Sequence, residues 1–325
     1  MYLDNKRVFL AGATGSVGTA ILAHLIKRYP AVRIRAAVHT TKPHFAQDRV
    51  EYVSGDLRSP ETCRVMARGC DCAIMAASRS GGSKTMTQEP WLFLNDNIAM
   101  NTALLEAFYR EQVRRVIFIG SSTVYQEFDG FVREEDLDLN APPHAAYFGV
   151  GWVTRFIEKL CAFWHQKTGM ETVILRAANI FGPYASFDPA RSYFIPAIIR
   201  KAAEGLDPFE VWGSPDVIRD VLFSEDFADA VALALNNDSI KHDVFNVGSG
   251  LKTTVGEVVN WALKYTGHTP SKVHFDSTRP TTIRFRALCI EKAQRALGWK
   301  PATTPEAGVM KTAQWWLKNK DQWNK

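Results

Sequence analysis

Three glycines after the first apolar run have the spacing that holds a phosphate group in nucleotide-binding proteins. The run RVFLA at 7–11 leads directly into GATGSVG at 12–18, and a helical pattern follows. Glycine permits a tight turn and lets the backbone approach a pyrophosphate, while the N-terminus of the next helix offers unpaired N–H groups. We therefore predict a dinucleotide site; a purely structural turn is the alternative. The residues of this site are Gly12, Thr14, Gly15, Ser16, Val17 and Gly18.

The segment AAVHTTK at 36–42, which ends the second predicted strand, contains no carboxylate. An acidic residue here would hold the ribose hydroxyls of NAD, whereas a neutral or basic residue tolerates the additional phosphate of NADP. The segment therefore favours NADP over NAD, with His39 beside the ribose. After the third strand, Asp56 and Leu57 of SGDL are candidate contacts to the adenine edge, although an aspartate here is also common turn chemistry.

The elements that must position these groups alternate between short apolar runs and helical patterns, in the order of consecutive βαβ units. Strands are predicted at 7–11, 33–38, 50–54, 72–76, 116–120 and 172–175, and helices at 19–29, 62–68, 91–110 and 147–168. Beyond residue 180 the pattern changes to short strands at 221–222 and 244–247 and a helix at 254–266. We predict an α/β fold, with a Rossmann-type doubly wound parallel sheet over 1–180. A smaller C-terminal α/β substrate-binding region follows over 181–325, with some exchange of segments.

Composition and charge narrow the classes of protein that fit. The 325 residues are 46% hydrophobic and 22% charged, which is typical of a folded globular protein. The net charge of +5 is spread along the chain, so we expect no nucleic-acid partner and favour a small anionic ligand. Five cysteines without paired C-x-x-C spacing predict neither a metal site nor a disulfide framework. No apolar run is long enough to span a bilayer and no signal peptide is visible, which predicts a cytoplasmic protein with no membrane partner.

Several further motifs occur in order along the chain. They are GSSTVY at 120–125, Tyr147, RAANIFGP at 176–183, RDVLFSEDFADA at 219–230, NVGSG at 246–250 and LGWKP at 297–301. With the glycine turn, these motifs make nearly the whole chain resemble the extended short-chain dehydrogenase/reductase family, in particular its nucleotide-sugar epimerases, dehydratases and reductases. The segment GPYASFDPARSYFIPAIIRK at 182–201 is closest in pattern to the GDP-fucose synthases and related 4-keto reductases.

The resemblance implies a role for each motif. Ser121 would hydrogen-bond the sugar oxygen that is oxidised or reduced, and Tyr147 would pass a proton to or from it while hydride moves between sugar and nicotinamide. Ser122 and Thr123 follow Ser121 in the catalytic segment. Further cofactor contacts would come from Ala76, Ala77 and Asn97. The implied substrate contacts are Asn179 and three arginines, either phosphate partners or solvated surface charges: Arg191, Arg219 and Arg279. A homodimer that pairs through the tyrosine helix is also implied.

Gly151 stands four residues after Tyr147, where the family has a lysine that stabilises the tyrosinate. Without such help a phenol, with an ordinary pKa of about 10, is a poor base at neutral pH. Arg155 lies one helical turn further along and would reach Tyr147 only from a bent conformation. We expect the missing side chains of Gly149 and Gly151 to leave space beside the cofactor, which a sugar, a water chain or a shifted nicotinamide could fill.

Two other departures limit the reaction that the resemblance implies. Ser122 and Thr123 replace the Asp-Glu pair of the dehydratases, and Thr123 and Tyr184 replace the cysteine and histidine that perform 3,5-epimerisation in GDP-fucose synthases. The leading hypothesis is NAD(P)-dependent 4-keto reduction or C4 epimerisation of a nucleotide-activated hexose. A dehydratase with atypical acid/base groups and a non-catalytic dinucleotide-binding protein are the alternatives. The arginines disfavour a non-nucleotide substrate such as a sterol or flavonoid.

Overall fold

The computed structural model describes residues 2–44, 46–79, 90–278 and 283–323, and a parallel sheet is its largest element. The strands in chain order are β1 (Arg7–Ala11), β2 (Arg33–Val38), β3 (Val50–Ser54), β4 (Cys72–Met75), β5 (Arg115–Ser121), β6 (Gly130–Val132), β7 (Glu171–Ala177), β8 (Asn179–Phe181), β9 (Phe209–Trp212), β10 (Ile218–Arg219), β11 (Val221–Phe223), β12 (His242–Val247), β13 (Thr253–Thr254), β14 (Val273–Asp276) and β15 (Phe285–Leu288). Seven of them form one sheet in the order β12-β7-β5-β4-β1-β2-β3, with every neighbouring pair parallel. The predicted doubly wound parallel sheet is therefore confirmed.

Helices cover both faces of this sheet. They are α1 (Ser16–Arg28), α2 (Pro60–Ala67), α3 (Pro90–Arg110), α4 (Phe148–Thr168), α5 (Phe194–Ala203), α6 (Ser224–Asn236), α7 (Val255–Thr266), α8 (Glu291–Leu297) and α9 (Pro305–Asn319). Because side chains alternate along a strand, Val8 and Leu10 of β1 pack in the core with α1 and α6. Phe9 and Ala11 pack in the opposite core with α2, α3 and α4. Burial on both faces explains why these strands are continuously apolar.

A second, smaller region lies beyond β7. A four-stranded sheet has the order β13-β10-β15-β6, and a separate core is formed largely by α5, α7 and α9. Two strands connect the regions: β6 comes from the first half of the chain but pairs with β15, and β12 comes from the second half but pairs with β7. Segments are thus exchanged between the two halves of the chain.

Candidate active site

The glycine turn between β1 and α1 has the shape of a phosphate cradle. Gly12 has a φ of +79°, and a Cβ atom there would lie 2.7 Å from the backbone of Ala76 and Ala77. A Cβ atom on Gly18 would overlap the carbonyl of Gly12, whereas one on Gly15 would meet that carbonyl only at 3.4 Å. Gly12 and Gly18 therefore maintain the turn. The side of Gly15 away from the fold has room for a ligand.

The first turn of α1 is suited to an anion. Its N-cap residue, Gly15, has no side chain that could accept a hydrogen bond from the first N–H groups of the helix. A helix of this length carries a partial positive charge at such an end, which favours phosphate. The backbone of the turn, with Thr14, Ser16 and Val17, fits a dinucleotide pyrophosphate.

The predicted adenine contacts lie in a network of ion pairs. Asp56 Oδ2 accepts a hydrogen bond of 2.7 Å from Arg58 Nη2, and Arg58 Nη1 also bonds Asp96 Oδ1 at 3.1 Å. These hydrogen bonds from Arg58 hold the pKa of Asp56 at about 2. The Leu57 side chain is buried in the core beside α2, and His39 is exposed after β2. Asp56 is therefore paired with Arg58.

Asn97 of α3 fixes the segment that follows Ala76 and Ala77. Its Oδ1 accepts a hydrogen bond of 2.8 Å from the Arg79 backbone N–H, and its Nδ2 donates to the Arg79 carbonyl at 3.0 Å. Both polar groups of the amide thus bond the backbone of one residue. The structure assigns Asn97 the task of holding the strand end that faces the glycine turn.

Tyr147 is the N-cap residue of α4 and lies against two arginines from the second half of the chain. The guanidinium carbon of Arg286 lies 5.1 Å from the centre of the Tyr147 ring. Burial lowers the pKa of Arg286 to about 10, opposed by Tyr147 and reinforced by the positive charge of Arg219. Burial also lowers the pKa of Arg219, again opposed by Tyr147. The two guanidinium groups and the phenol therefore form one electrostatic cluster.

Sequence reasoning named Arg219 as a site residue but missed Arg286. Arg286 stands in β15, in the stretch FRAL, and it is 8% exposed. An arginine between apolar residues of a short strand is the signal that could have identified it, because a buried charge requires a partner. The predicted phosphate partner Arg279 lies outside the described residues.

Ser121 ends β5 and begins a single 3₁₀ turn over Ser122–Val124. Its Oγ accepts a hydrogen bond of 3.2 Å from the backbone N–H of Thr123, which leaves its own hydroxyl proton to donate. Thr123 Oγ1 is buried and has no hydrogen-bond partner in the part of the chain that the structure describes. Ser122 and Thr123 contribute hydroxyls but no carboxylate to this turn.

A buried polar network supports the turn from below. Tyr125 donates a hydrogen bond of 2.7 Å from its hydroxyl to Asn246 Oδ1 and accepts one of 2.8 Å from Arg176 Nη1. Arg176 in turn forms an ion pair with Glu158 of α4, at 2.9 Å. Tyr125, Arg176 and Asn246 belong to three of the sequence motifs. The structure thus gives these motif residues a supporting role beneath the site.

The space expected beside Gly151 does not exist, so that interpretation of the sequence was wrong. A Cβ atom on Gly151 would lie 2.5 Å from Pro143 Cβ and 2.6 Å from the Thr123 carbonyl oxygen. At Gly149 a Cβ atom would meet only the flexible end of Leu94, at 3.0 Å. Gly151 is thus required for the 3₁₀ turn and the Pro143 loop to pack on α4.

Arg155 holds the same loops in place and does not turn toward Tyr147. Its Nε donates a hydrogen bond of 2.6 Å to the Val124 carbonyl, and its Nη1 donates one of 2.6 Å to the Ala141 carbonyl. Its guanidinium also lies 4.8 Å from the Trp152 ring. Arg155, the next cation along α4 after position 151, therefore has a structural function.

The predicted substrate residues are positioned by a buried aspartate. Asp220 accepts two hydrogen bonds of 2.7 Å from Ser249 and one of 3.1 Å from the Leu288 N–H, which join β10 to the NVGSG loop and to β15. Asn179 donates a hydrogen bond of 2.8 Å to the Asp220 carbonyl and is exposed. Arg219 donates to the Ile283 carbonyl at 2.6 Å. Asn179 therefore bonds the backbone of Asp220, the residue that follows Arg219.

Other predicted groups lie apart from this cluster or form no site. Arg191 is exposed in the loop before α5. In the described part of the chain, no group of three or more His, Cys, Asp or Glu side chains could hold a metal ion. The five cysteines form no disulfide. No helix in the described ranges is both long enough and apolar enough to cross a membrane.

A cavity of about 290 Å³ lies beside the Tyr147 cluster. Its walls include His144, whose ring centre is 5.9 Å from that of Tyr147, and Phe285, the neighbour of Arg286 in β15. A larger surface groove lies between α2 and the edge of the sheet at β3, where Arg35 and Glu51 form an ion pair. Neither this groove nor the smaller cavity is lined by Tyr147, Arg219 or Arg286, so the candidate site is defined by those residues and not by a cavity.

The family described as the NAD dependent epimerase/dehydratase family matches residues 8–248, well over half of the chain. The chain belongs to this family. The resemblance inferred from the motifs is therefore confirmed, and the chain is a member of a family of enzymes.

Similar proteins cover almost the whole chain. The GDP-L-fucose synthase of Sinorhizobium fredii is 28% identical, with 98% of each chain covered. The GDP-L-colitose synthase of Yersinia pseudotuberculosis is 27% identical, with 97% of this chain and 99% of that protein covered. The UDP-glucose 4-epimerase of Thermotoga maritima, solved with UDP-glucose, has a TM-score of 0.85 and 20% identity and covers 96% of this chain and 99% of its own. At this identity the last comparison shows that the two chains share a fold.

Proposed function

We propose that this protein is an NAD(P)-dependent enzyme that reduces the 4-keto group, or inverts carbon 4, of a nucleotide-activated hexose. The observation that carries the proposal is the convergence of Tyr147 with Arg219 and Arg286. Ser121 and Asn179 follow the carboxyl ends of β5 and β7, at the same sheet edge as the glycine turn after β1. Ligands of open parallel sheets bind at that edge.

A nicotinamide cofactor held by the glycine turn would exchange a hydride with carbon 4, giving one in reduction, or taking one and returning it in epimerisation. In reduction, Tyr147 donates its phenolic proton to the carbon-4 oxygen, and Ser121 donates a hydrogen bond to the same oxygen. Asn179 and Arg219 bind and orient the diphosphate, which fixes the sugar next to Tyr147. Because Ser122 and Thr123 carry no carboxylate, these residues do not supply the acid and base of an elimination.

Several finer features are part of the proposal. NADP is the favoured cofactor, because the described residues from His39 to His44 contain no carboxylate and Lys42 is exposed among them. The sequence division at about residue 180 separates cofactor binding from sugar binding. The similarity to a GDP-L-fucose synthase and a GDP-L-colitose synthase supports a GDP-sugar as the first substrate to test.

A homodimer is proposed on an exposed apolar surface of α3 and α4. Trp152, Phe156 and Phe163 of α4 are 39%, 45% and 49% exposed, and Tyr109 of α3 is 51% exposed. Apolar surface of this kind commonly marks an interface. Phe156→Arg should shift the mass measured by light scattering toward the monomer, while Leu206→Arg, which also alters an exposed apolar residue, should leave it unchanged. Equal masses for both variants would contradict the proposed interface.

The test of the proposed function is turnover. Purified protein is mixed with NADPH or NADH and with GDP- and UDP-activated hexoses and 4-keto-6-deoxyhexoses, and the products are identified by NMR. A reductase consumes the reduced cofactor stoichiometrically, whereas an epimerase returns it unchanged. Tyr147→Phe should lower the rate at least about 100-fold and leave cofactor affinity within about threefold of the wild type. Cofactor binding without conversion of any nucleotide sugar would overturn the proposal.

A further inference from the structure

We propose that Arg286 is the positioning residue that supplies the positive charge for the Tyr147 phenolate, from β15 instead of from α4. The inference rests on the proposed function, because it takes Tyr147 as the group that exchanges a proton with the sugar. It adds a residue that the sequence motifs do not mark, and it explains how the site works with glycine at position 151.

The helix that carries Tyr147 cannot supply this charge. A side chain at position 151 would collide with Pro143 and with the Thr123 carbonyl. The next cation on that face, Arg155, donates two short hydrogen bonds to carbonyl groups of other loops. The charge must therefore come from a different element of the structure.

Three ionisable groups face Tyr147 in the described ranges. His144, in the preceding turn, accepts a hydrogen bond of 3.1 Å at Nδ1 from the Ala146 N–H. Arg219 comes from β10 and Arg286 from β15. Arg286 lies over the phenol ring itself, at 5.1 Å, where a cation opposes a negative charge spread over that ring.

Arg286 has the environment of a charge that awaits a counterion. It is 8% exposed, and among the described residues its Nε and Nη2 atoms have no hydrogen-bond partner. Apart from Tyr147, the acidic group that acts on it is Tyr125, whose hydroxyl already bonds Asn246 and Arg176. Burying a guanidinium without an anion is costly, so a partner is expected to appear when the protein functions. Loss of a proton from Tyr147 creates such an anion beside Arg286.

The charges balance in the reduction. The Tyr147 O–H bond breaks, its proton forms the new O–H bond at carbon 4, and the electron pair stays on the phenolate oxygen opposite Arg286. The ketone is reduced as the nicotinamide, which the proposed function supplies, is oxidised. A nearby cation favours the ionised form of an acid, so Arg286 makes Tyr147 a stronger proton donor.

The test measures ionisation of one tyrosine directly. Tyrosinate absorbance is titrated in substrate-free protein, and subtraction of the same titration of Tyr147→Phe isolates residue 147. The pH at which the absorbance of residue 147 changes should be about 1 unit or more higher in Arg286→Gln than in the wild type. In Arg295→Gln, which removes an exposed charge on α8, this pH should stay at the wild-type value. An Arg286→Gln titration equal to the wild type overturns the proposal.

Steady-state kinetics distinguish the proposed role of Arg286 beside the Tyr147 phenolate from a role in binding the substrate diphosphate. With an active substrate, Arg286→Gln should lower kcat about 10-fold or more and move the alkaline fall of ketone reduction to higher pH, because tyrosine stays protonated longer. A rise in KM alone, with an unshifted titration, would make Arg286 a diphosphate ligand and sink the proposal. A shifted titration in a protein that converts no nucleotide sugar would support the Arg286–Tyr147 pairing while overturning the proposed function.

A second uncharged variant is the control for a loss of folding. Arg286→Met has a side chain of similar length and is titrated in the same way if Arg286→Gln does not fold. Because removal of an unpaired buried charge relieves a desolvation cost, at least one of the two should fold. If neither folds, the charge is needed for the structure alone and the proposal is wrong.

Discussion

Gly151 packs so closely against Pro143 that a methyl group at its Cα would lie 2.5 Å from Pro143 Cβ. The position that carries a lysine in similar enzymes is therefore closed by the fold of this chain. The loop of Pro143 and the 3₁₀ turn of Thr123 occupy the volume, and Arg155 holds both against α4. Tyr147 keeps its place at the start of the helix but has its charged neighbours in β10 and β15.

Gly151→Ala is expected to destabilise the protein by about 1–3 kcal/mol, because its overlap with Pro143 and the Thr123 carbonyl outweighs the better helix propensity of alanine. Gly149→Ala is the matched control, since its new methyl group meets only the movable side chain of Leu94. Urea unfolding measures both free energies. A Gly151→Ala variant as stable as the Gly149→Ala variant would show that the Pro143 loop moves aside at little cost in unfolding free energy.

Two glycines of the phosphate cradle should have different functions. Gly18→Ala overlaps the Gly12 carbonyl and should lower the melting temperature together with cofactor affinity. Gly15→Ala makes only a 3.4 Å contact within the protein, so it should retain the melting temperature and lose about 10-fold or more in cofactor affinity. Calorimetry and fluorescence titration with NADPH measure the two properties. If Gly15→Ala binds cofactor normally, the pyrophosphate does not lie against this residue.

His39→Asp tests the cofactor assignment. A carboxylate at the end of β2 can accept hydrogen bonds from ribose hydroxyls and repels the extra phosphate of NADP. The variant should therefore bind NADPH about 10-fold or more weakly than the wild type and bind NADH more tightly. Kd values for both cofactors, measured with His39→Asn as the uncharged control, decide the point. A wild type that already prefers NADH would contradict the assignment.

A pair of stacked histidines predicts a pH dependence of stability. His242 stacks on His165 with ring centres 5.0 Å apart, and burial, followed by the charge of His165, lowers the pKa of His242. The unfolded chain binds a proton near the ordinary pKa of about 6.5, whereas the folded chain binds it only at lower pH. Stability from this group is therefore full above about pH 6.5 and decreases as the pH falls below that value.

Urea unfolding between about pH 8 and 5 measures this effect, because the range spans the ordinary pKa of histidine. His242→Gln should show a flatter decline in unfolding free energy toward acid than the wild type. His274→Gln, which removes an exposed histidine, is the control and should follow the wild-type curve. Equal slopes for the wild type and His242→Gln would show that the histidine stack does not contribute.

Local patterns were sufficient for much of the sheet. The predicted strands at 33–38 and 50–54 coincide with β2 and β3, because short strand-like runs rich in β-branched and aromatic residues between turns are read from neighbouring residues alone. The predicted helix at 147–168 begins one residue later, since Tyr147 is its N-cap. The glycine turn was readable for the same reason: strand, turn and helix are adjacent in the chain.

The sequence by itself determined the family, the glycine turn between β1 and α1, and the glycine at position 151. Only the tertiary structure decided what surrounds Tyr147. Arg286 reaches Tyr147 because β6 crosses into the smaller sheet and pairs with β15, and no periodicity near Tyr147 encodes a pairing between such distant segments. The closed volume at Gly151 likewise depends on Pro143 and Thr123, which belong to loops and not to the helix. Interactions between residues that are close in the sequence determine the helices and strands. Contacts between distant segments determine the electrostatics of the site.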